Sequence, residues 1–213
     1  MTTFIFVRHG QSEANVNKIF TGQSNIPLSL LGEKQAARTG EFISENFKID
    51  TVYASDLRRT YDTAKIITSK LGIPEEQIHT DKALREMNVG EWEGLYFLKV
   101  PEKYTEAYFN WENNADIFRF PGGESTQEAF LRVYNKISEI SEENSGKTVL
   151  VVFHAMPLKL LLSYAENGRL DSKLNSFDFP NASVSVAEYD KNKLVFREKA
   201  LNKHLAEVNG QKD

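Results

Sequence analysis

The alternation of apolar and polar positions outlines the molecule. Phe4 to Val7 is an apolar run that stops abruptly at Arg8-His9-Gly10, the form of a buried strand feeding a loop. Thr51 to Ala54 and Thr148 to Phe153 have the same form. Between the first two runs, Ala36, Gly40, Ile43 and Phe47 recur at helical spacing and put one small-to-apolar stripe on one face. Leu57, Ala64, Ile67 and Leu71 repeat that pattern, and Gly72 before Ile73-Pro74 closes the helix. Ser125-Thr126-Gln127-Glu128 has the form of a capping box; it opens a helix that carries Phe130, Val133, Ile137 and Ile140 and is ended by Gly146. Pro157 stands where a first-turn proline belongs, ahead of a helix over Leu158 to Ala165. Ser183 to Tyr189 and Leu194 to Lys199 are β-rich around Asp190-Lys191-Asn192-Lys193, which reads as a hairpin.

Strands and helices alternate, so the pattern predicts an α/β fold: a three-layer sandwich with a mixed, mostly parallel central sheet flanked by helices. One stretch departs from that rhythm. Trp92 to Phe120 is rich in aromatics, including Tyr96, Phe97, Tyr104, Tyr108, Phe109, Trp111 and Phe118, and lacks a convincing strand. It reads as a helical excursion at about 92–124 that caps a pocket, within a single domain over 1–213. The competing reading is that these aromatics are ordinary core. The chain has no internal repeat, linker or low-complexity segment.

Composition narrows the classes. A chain of 213 residues with 40% hydrophobic and 26% charged residues can bury a sizeable core and is not disordered. With no cysteine, disulfide scaffolds, thiolate metal sites and cysteine nucleophiles are excluded. A net charge of -4 gives no global field for nucleic acid or an anionic membrane, so neither is an expected partner and any anion site must be local. The apolar runs are far shorter than the roughly 20 residues that span a bilayer, and the first residues lack the form of a secretory signal. A soluble cytoplasmic protein is the expectation.

Motifs for cradling nucleotides or holding protease zinc are missing, and His9, His79, His154 and His204 are too far apart in sequence to imply a metal pair. No metal or cofactor is implied. His9 and His154 each follow an apolar strand, where α/β sheets form their ligand crevice, and Ser55 and Arg58-Arg59 follow a third. Arg8, His9, Arg59 and His154 would then converge. Guanidinium groups grip phosphate oxygens bidentately, and a neutral imidazole serves as a nucleophile, so this set describes a dianion site. Glu86, in Leu84-Arg85-Glu86-Met87, is the candidate acid for a leaving oxygen, with its pKa raised by the crowding of a bound anion. Taken singly, His9 could be a polar loop residue, Arg58 a solvated helix residue and Glu86 a surface partner of Arg85. His79 and His204 read as a strand-edge residue and a tail residue.

Six segments in order resemble the histidine phosphatase superfamily, also called the phosphoglycerate mutase-like family. Arg8-His9-Gly10-Gln11-Ser12-Glu13-Ala14-Asn15 is similar to its R-H-G-E-[ST]-x-x-N signature. Thr21-Gly22, Pro27-Leu28-Ser29 and Gly32-Glu33-Lys34-Gln35-Ala36 resemble a second segment, and Ser55-Asp56-Leu57-Arg58-Arg59-Thr60 a third. Leu84-Arg85-Glu86 through Gly90-Glu91-Trp92-Glu93-Gly94, then Pro121-Gly122-Gly123-Glu124-Ser125, then Phe153-His154 complete the series; the last sixty residues add little. The resemblance implies that His9 is transiently phosphorylated, that Arg8, Arg59 and His154 hold the phosphoryl group, and that Glu86 protonates the leaving alcohol. It implies secondary substrate contacts from Asn15, Ser12, the Thr21-Gly22 backbone and the Ala155 amide. Four positions depart from the family pattern: Gln11 for Glu, Asn25 for Asp, Thr60 for Ala, and Ala155 for the glycine after the second histidine, where any positive φ would strain a Cβ.

The resembling enzymes divide into phosphatases and mutases, and mutases share a basic pair in the cap. From Trp92 to Glu124 this chain offers Lys99, Lys103 and Arg119 against six acids. The expectation is therefore a metal-independent phosphomonoesterase of the histidine acid phosphatase type, acting on a small organic phosphate ester, with a phosphoglycerate mutase as the alternative and a non-catalytic binding module as the third. A strand edge near the C-terminal hairpin could make a homodimer.

Overall fold

A computed structural model of the protein describes residues 1–210. The apolar runs become β1 (Thr2–Arg8), β2 (Thr51–Ser55) and β4 (Thr148–Phe153), joined by β3 (Ile78–Asp81), β5 (Val184–Asp190) and β6 (Lys193–Leu201). They form one six-stranded sheet in the order β3-β2-β4-β1-β5-β6. The pairs β1–β4, β2–β4 and β2–β3 are parallel; β5 runs antiparallel to β1 and β6 antiparallel to β5. The sheet is mixed and mostly parallel, as the sequence predicts.

The continuous apolar runs of β1 and β4 have a simple cause: both faces of these strands are covered. Phe4, Phe6, Val149, Val151 and Phe153 pack with α6 (Thr126–Glu143) and α7 (Ala155–Asn167), while Ile5, Val7, Leu150 and Val152 pack with α2 (Leu30–Asn46) and α3 (Arg58–Leu71). Alternate residues of one strand thus serve two cores, which makes the three layers.

Local signals act where the sequence places them, with small shifts. The capping box of Ser125 and Glu128 is formed. The helix it opens closes at Asn144, whose amide donates to the Ile140 carbonyl, and Gly146 takes a left-handed φ of 82° in the turn beyond. α7 begins at Ala155 rather than Leu158, so Pro157 is the third residue of its first turn. In the β5–β6 hairpin, Lys191 and Asn192 both have positive φ, the handedness that matches strand twist in a tight turn. Edge strand β6 exposes Lys193, Arg197, Glu198 and Lys199, a charged border of the kind that protects an edge from pairing.

Residues 92–124 carry two short helices, α4 (Val100–Lys103) and α5 (Thr105–Asn113), and α1 (Glu13–Asn17) lies after β1. The core reading holds for part of the aromatic stretch: Trp92, Trp111, Phe118 and Phe120 are buried in a third cluster with Phe130, Leu160 and Leu174. Tyr96, Phe97 and Phe109 stay exposed. Among the described residues, no helix is long and apolar enough to cross a membrane.

Candidate active site

Three neighbouring parallel strands end at one place. β1 delivers Arg8 and, just beyond it, His9; β4 delivers His154; β2 ends in Ser55, and the first turn of α3 brings Arg59. This is the carboxyl-end crevice of a parallel sheet. His9 and His154 are buried, with ring centroids 5.3 Å apart and the rings edge to face. The loop after His9 can reach this position because Gly10 and Gly32 touch: a Cβ on Gly10 would lie 2.4 Å from the Gly32 carbonyl oxygen. Here the glycine serves close backbone approach.

Hydrogen bonds fix the tautomer of each imidazole. His9 Nδ1 lies 2.7 Å from the Gly10 carbonyl oxygen. A carbonyl only accepts, so Nδ1 carries the proton and Nε2 keeps its lone pair. His154 Nε2 lies 3.0 Å from Ser55 Oγ, which also accepts the Leu57 amide at 3.4 Å. Because Ser55 is fully buried, its hydroxyl proton is satisfied by donation to His154 Nε2, which leaves the His154 proton on Nδ1. That Nδ1 has no partner in the protein. Both rings are held neutral. Burial pushes their pKa values well below 6.5, and the nearby Arg59 and Arg8 charges push the same way.

The cations are held by backbone rather than by carboxylates. Arg59, 1% exposed, donates to the carbonyls of Gly22 at 2.8 Å and Ser24 at 2.9 Å, and burial lowers its pKa to about 10 against the pull of Glu86 and Glu93. Arg8 donates to the Phe179 carbonyl, and its Nε has no partner in the protein. Glu86 accepts the amides of Met87 at 2.9 Å and Met156 at 3.3 Å. Its pKa is raised, and the chief cause is burial, opposed by those bonds and the two arginines. No bound anion is needed for the shift. Glu86 is not a surface partner of Arg85, which pairs with Asp56 at 2.6 Å.

Arg8, His9, Asn15, Thr21, Arg59, Glu86 and Ala155 line one cavity of about 160 Å³, whose other wall is apolar: Ile19, Phe20, Met87, Val89, Phe97, Trp111, Phe120 and Met156. A larger hollow of about 470 Å³ has Glu106 and Arg119 as its charged lining residues. Three expected contacts lie outside the cavity lining: Gly22, Ser12 and His154, which is fully buried behind it with its ring beside that of His9. The Gly22 amide is taken by the Glu93 carboxylate at 3.0 Å, which also binds the amides of Gln23 and Ser24 and so shapes the loop that grips Arg59. Ser12 is buried as the cap of α1 and bonds Asn15 Oδ1. Asn181 bonds the same oxygen, leaving the Asn15 amide nitrogen for a ligand.

The four departures from the family pattern have local explanations. Gln11 Oε1 accepts from Ser29 at 2.9 Å, outside the cavity lining. Asn25 Oδ1 accepts the Arg58 amide at 2.7 Å and so caps α3 from a distance, a task that needs an oxygen and not a charge. The Thr60 hydroxyl bonds the carbonyls of Leu57 and Ser55. Ala155 is the first residue of α7 and is not among the positive-φ residues, so no glycine is required.

Sequence reading missed the supports. Arg132 of α6 donates to the carbonyls of Ala83 and Arg85, which positions the Glu86 loop, and is clamped by Glu124 at 2.7 Å. The last sixty residues contribute the Phe179 carbonyl to Arg8 and the Asn181 amide to the His9 carbonyl. Arg58 is solvated and pairs with Asp62, and His79 lies on edge strand β3, both as expected. His204 is more than a tail residue: it stacks on Phe42 at 4.5 Å and bonds Thr39, and burial lowers its pKa to about 4.

The sequence profile of the histidine phosphatase superfamily (branch 1) matches residues 4–202. The chain belongs to that superfamily. Phosphoserine phosphatase 1 of Hydrogenobacter thermophilus is 32% identical over 207 residues, 97% of this chain and 96% of that protein. The metal-independent phosphoserine phosphatase of Arabidopsis thaliana is 30% identical over 98% of this chain and 85% of that one. Among solved structures, Bacillus stearothermophilus YhfR superimposes with a TM-score of 0.88 at 26% identity, over 96% of this chain and all of that one. Superfamily membership and relatives named as phosphatases support a phosphatase.

Proposed function

We propose that the protein is a metal-independent phosphomonoesterase that works through a phosphohistidine on His9 and hydrolyses a small organic phosphate. The observation that carries this is the pairing of a neutral His9, lone pair on Nε2, with the guanidinium groups of a buried Arg59 and a half-buried Arg8, whose identified partners are backbone carbonyls. A dianion is the ligand that such a set stabilises.

His9 Nε2 attacks phosphorus as the bond to the leaving oxygen breaks. Arg8, Arg59 and the His154 Nδ1–H bind the equatorial oxygens, where charge spreads in the transition state. Glu86, its pKa raised by burial, gives its proton to the leaving alkoxide. Asn15 and Thr21 contact the ester beside the phosphoryl group. Water then attacks the phosphohistidine and loses a proton to Glu86, releasing phosphate and restoring both groups. The two guanidiniums supply the cationic role that metal ions fill in other phosphoryl-transfer enzymes.

The test is phosphate release from p-nitrophenyl phosphate in the presence of a chelator, together with detection of an acid-labile phosphoryl group on His9. Wild type is expected to turn over, and His9→Ala to lose roughly 10³-fold or more. Isomerisation of 3-phosphoglycerate without net release would make the enzyme a mutase; no turnover and no adduct would leave a binding module.

A further inference from the structure

We propose that the leaving group accepted by this site is apolar and uncharged, best filled by a single arene on a short linker, and that phosphoesters bearing a carboxylate are poor substrates. The proposal rests on the phosphatase reading above and adds the chemistry of the alcohol.

The cavity divides sharply. Its cationic lining residues among those described are Arg8 and Arg59, and both belong to the phosphoryl end. The wall that meets the rest of the substrate is formed by Phe20, Phe97, Trp111, Phe120 and Met156. These rings pack against one another, Phe97 on Phe20 at 4.4 Å and Trp111 on Phe120 at 4.9 Å, and so present edges and faces to a ring of the same kind. The segment that covers this side turns its cations elsewhere. Lys99 pairs with Glu102 at 2.8 Å, Arg119 pairs with Glu128, and Lys103 lies 5.0 Å over the Tyr104 ring. Lys159 does not line the cavity, and its ammonium donates to the Asn175 carbonyl.

A substrate carboxylate placed against this wall would lose its water and find no partner there. An arene would exchange water for ring contacts. A cavity of about 160 Å³ is smaller than the usual small-molecule pocket, which limits the leaving group to about one ring.

The test compares four esters that all release alkoxides, so that intrinsic leaving-group reactivity does not decide the result: 2-phenylethyl phosphate, ethyl phosphate, O-phosphoserine and 3-phosphoglycerate. In kcat/KM, 2-phenylethyl phosphate should exceed ethyl phosphate by about 10-fold and the two carboxylates by about 100-fold. Phe97→Ala, at a position 41% exposed and therefore tolerant of truncation, should cut the phenylethyl-to-ethyl ratio by about 3-fold or more, mainly through KM. Turnover of O-phosphoserine or 3-phosphoglycerate at or above the 2-phenylethyl rate, or a ratio unmoved by Phe97→Ala, overturns the proposal. If no ester is hydrolysed and none phosphorylates His9, the phosphatase reading itself has failed.

Discussion

The two ends of the cavity are built in different ways. At the phosphoryl end, the functional side chains are tied by directional bonds: His9 to the Gly10 carbonyl, Arg8 to Phe179, Arg59 to Gly22 and Ser24, Glu86 to two amides, His154 to Ser55. At the aromatic end, Phe20, Phe97, Trp111 and Phe120 are held by ring packing, and the neighbouring Tyr96 and Leu98 are largely exposed. Directional bonds fix an atom to a few tenths of an ångström, which phosphoryl transfer requires. Ring packing fixes only a shape. One family can therefore keep its chemistry while the alcohol changes, because an aromatic wall is altered without moving a catalytic bond.

The comparison is broken most severely by disabling the acid alone. Glu86→Gln should lower kcat for 2-phenylethyl phosphate by roughly 10²–10³-fold while affecting p-nitrophenyl phosphate far less, because p-nitrophenolate leaves without a proton. Equal losses on the two esters, measured side by side, would show that Glu86 does not act as the acid.

Acid is a second probe: it acts on His9 and His154 at the phosphoryl end and on His204 away from it. The folded-state pKa values of His9 and His154 lie below the unfolded value near 6.5, so the unfolded chain binds more protons below that pH. The stability they contribute is present above 6.5 and is lost as pH falls, at about 1.4 kcal/mol per histidine per pH unit. Glu86, its pKa raised, works in the opposite direction above the usual carboxylate range. Urea unfolding from pH 6.5 to 5.5 should therefore show a shallower loss for His9→Asn than for wild type, by about 1 kcal/mol. Parallel curves would count against a neutral buried His9.

The smallest expected effect sharpens the picture of His154. Ser55→Ala removes the donor that holds the His154 tautomer and should cost about 10-fold in kcat/KM. It should also change the acid limb of the pH profile, which a purely structural serine would leave in place. An unchanged profile would mean that the His154 proton is set by something other than Ser55.

Much of this was legible in the chain. The apolar runs ending at Arg8, Ala54 and Phe153 located three strand ends, and parallel strands place such ends together. The aromatic stretch was harder. Trp92 and Phe97 look alike in sequence, yet one is fully buried in a core cluster and the other lines the cavity at 41% exposure. Arg132 gave no signal, because its carbonyl partners lie 46 to 49 positions upstream and an arginine on an amphipathic helix looks the same whether it meets solvent or carbonyls. Glu93 was visible within a motif but not as the group that occupies the Gly22 amide.

The sequence by itself determined the alternation of elements, the capping box at Ser125 and which side chains were candidates for the site, because those depend on local periodicity and on residue chemistry. Only the tertiary structure decided which tautomer each histidine holds, that burial raises Glu86, that Gly22 and Ser12 stand behind the cavity, and that an alanine suffices at position 155. These depend on contacts between residues distant along the chain, and the free energy of a buried polar group is set by the partners that the fold brings to it.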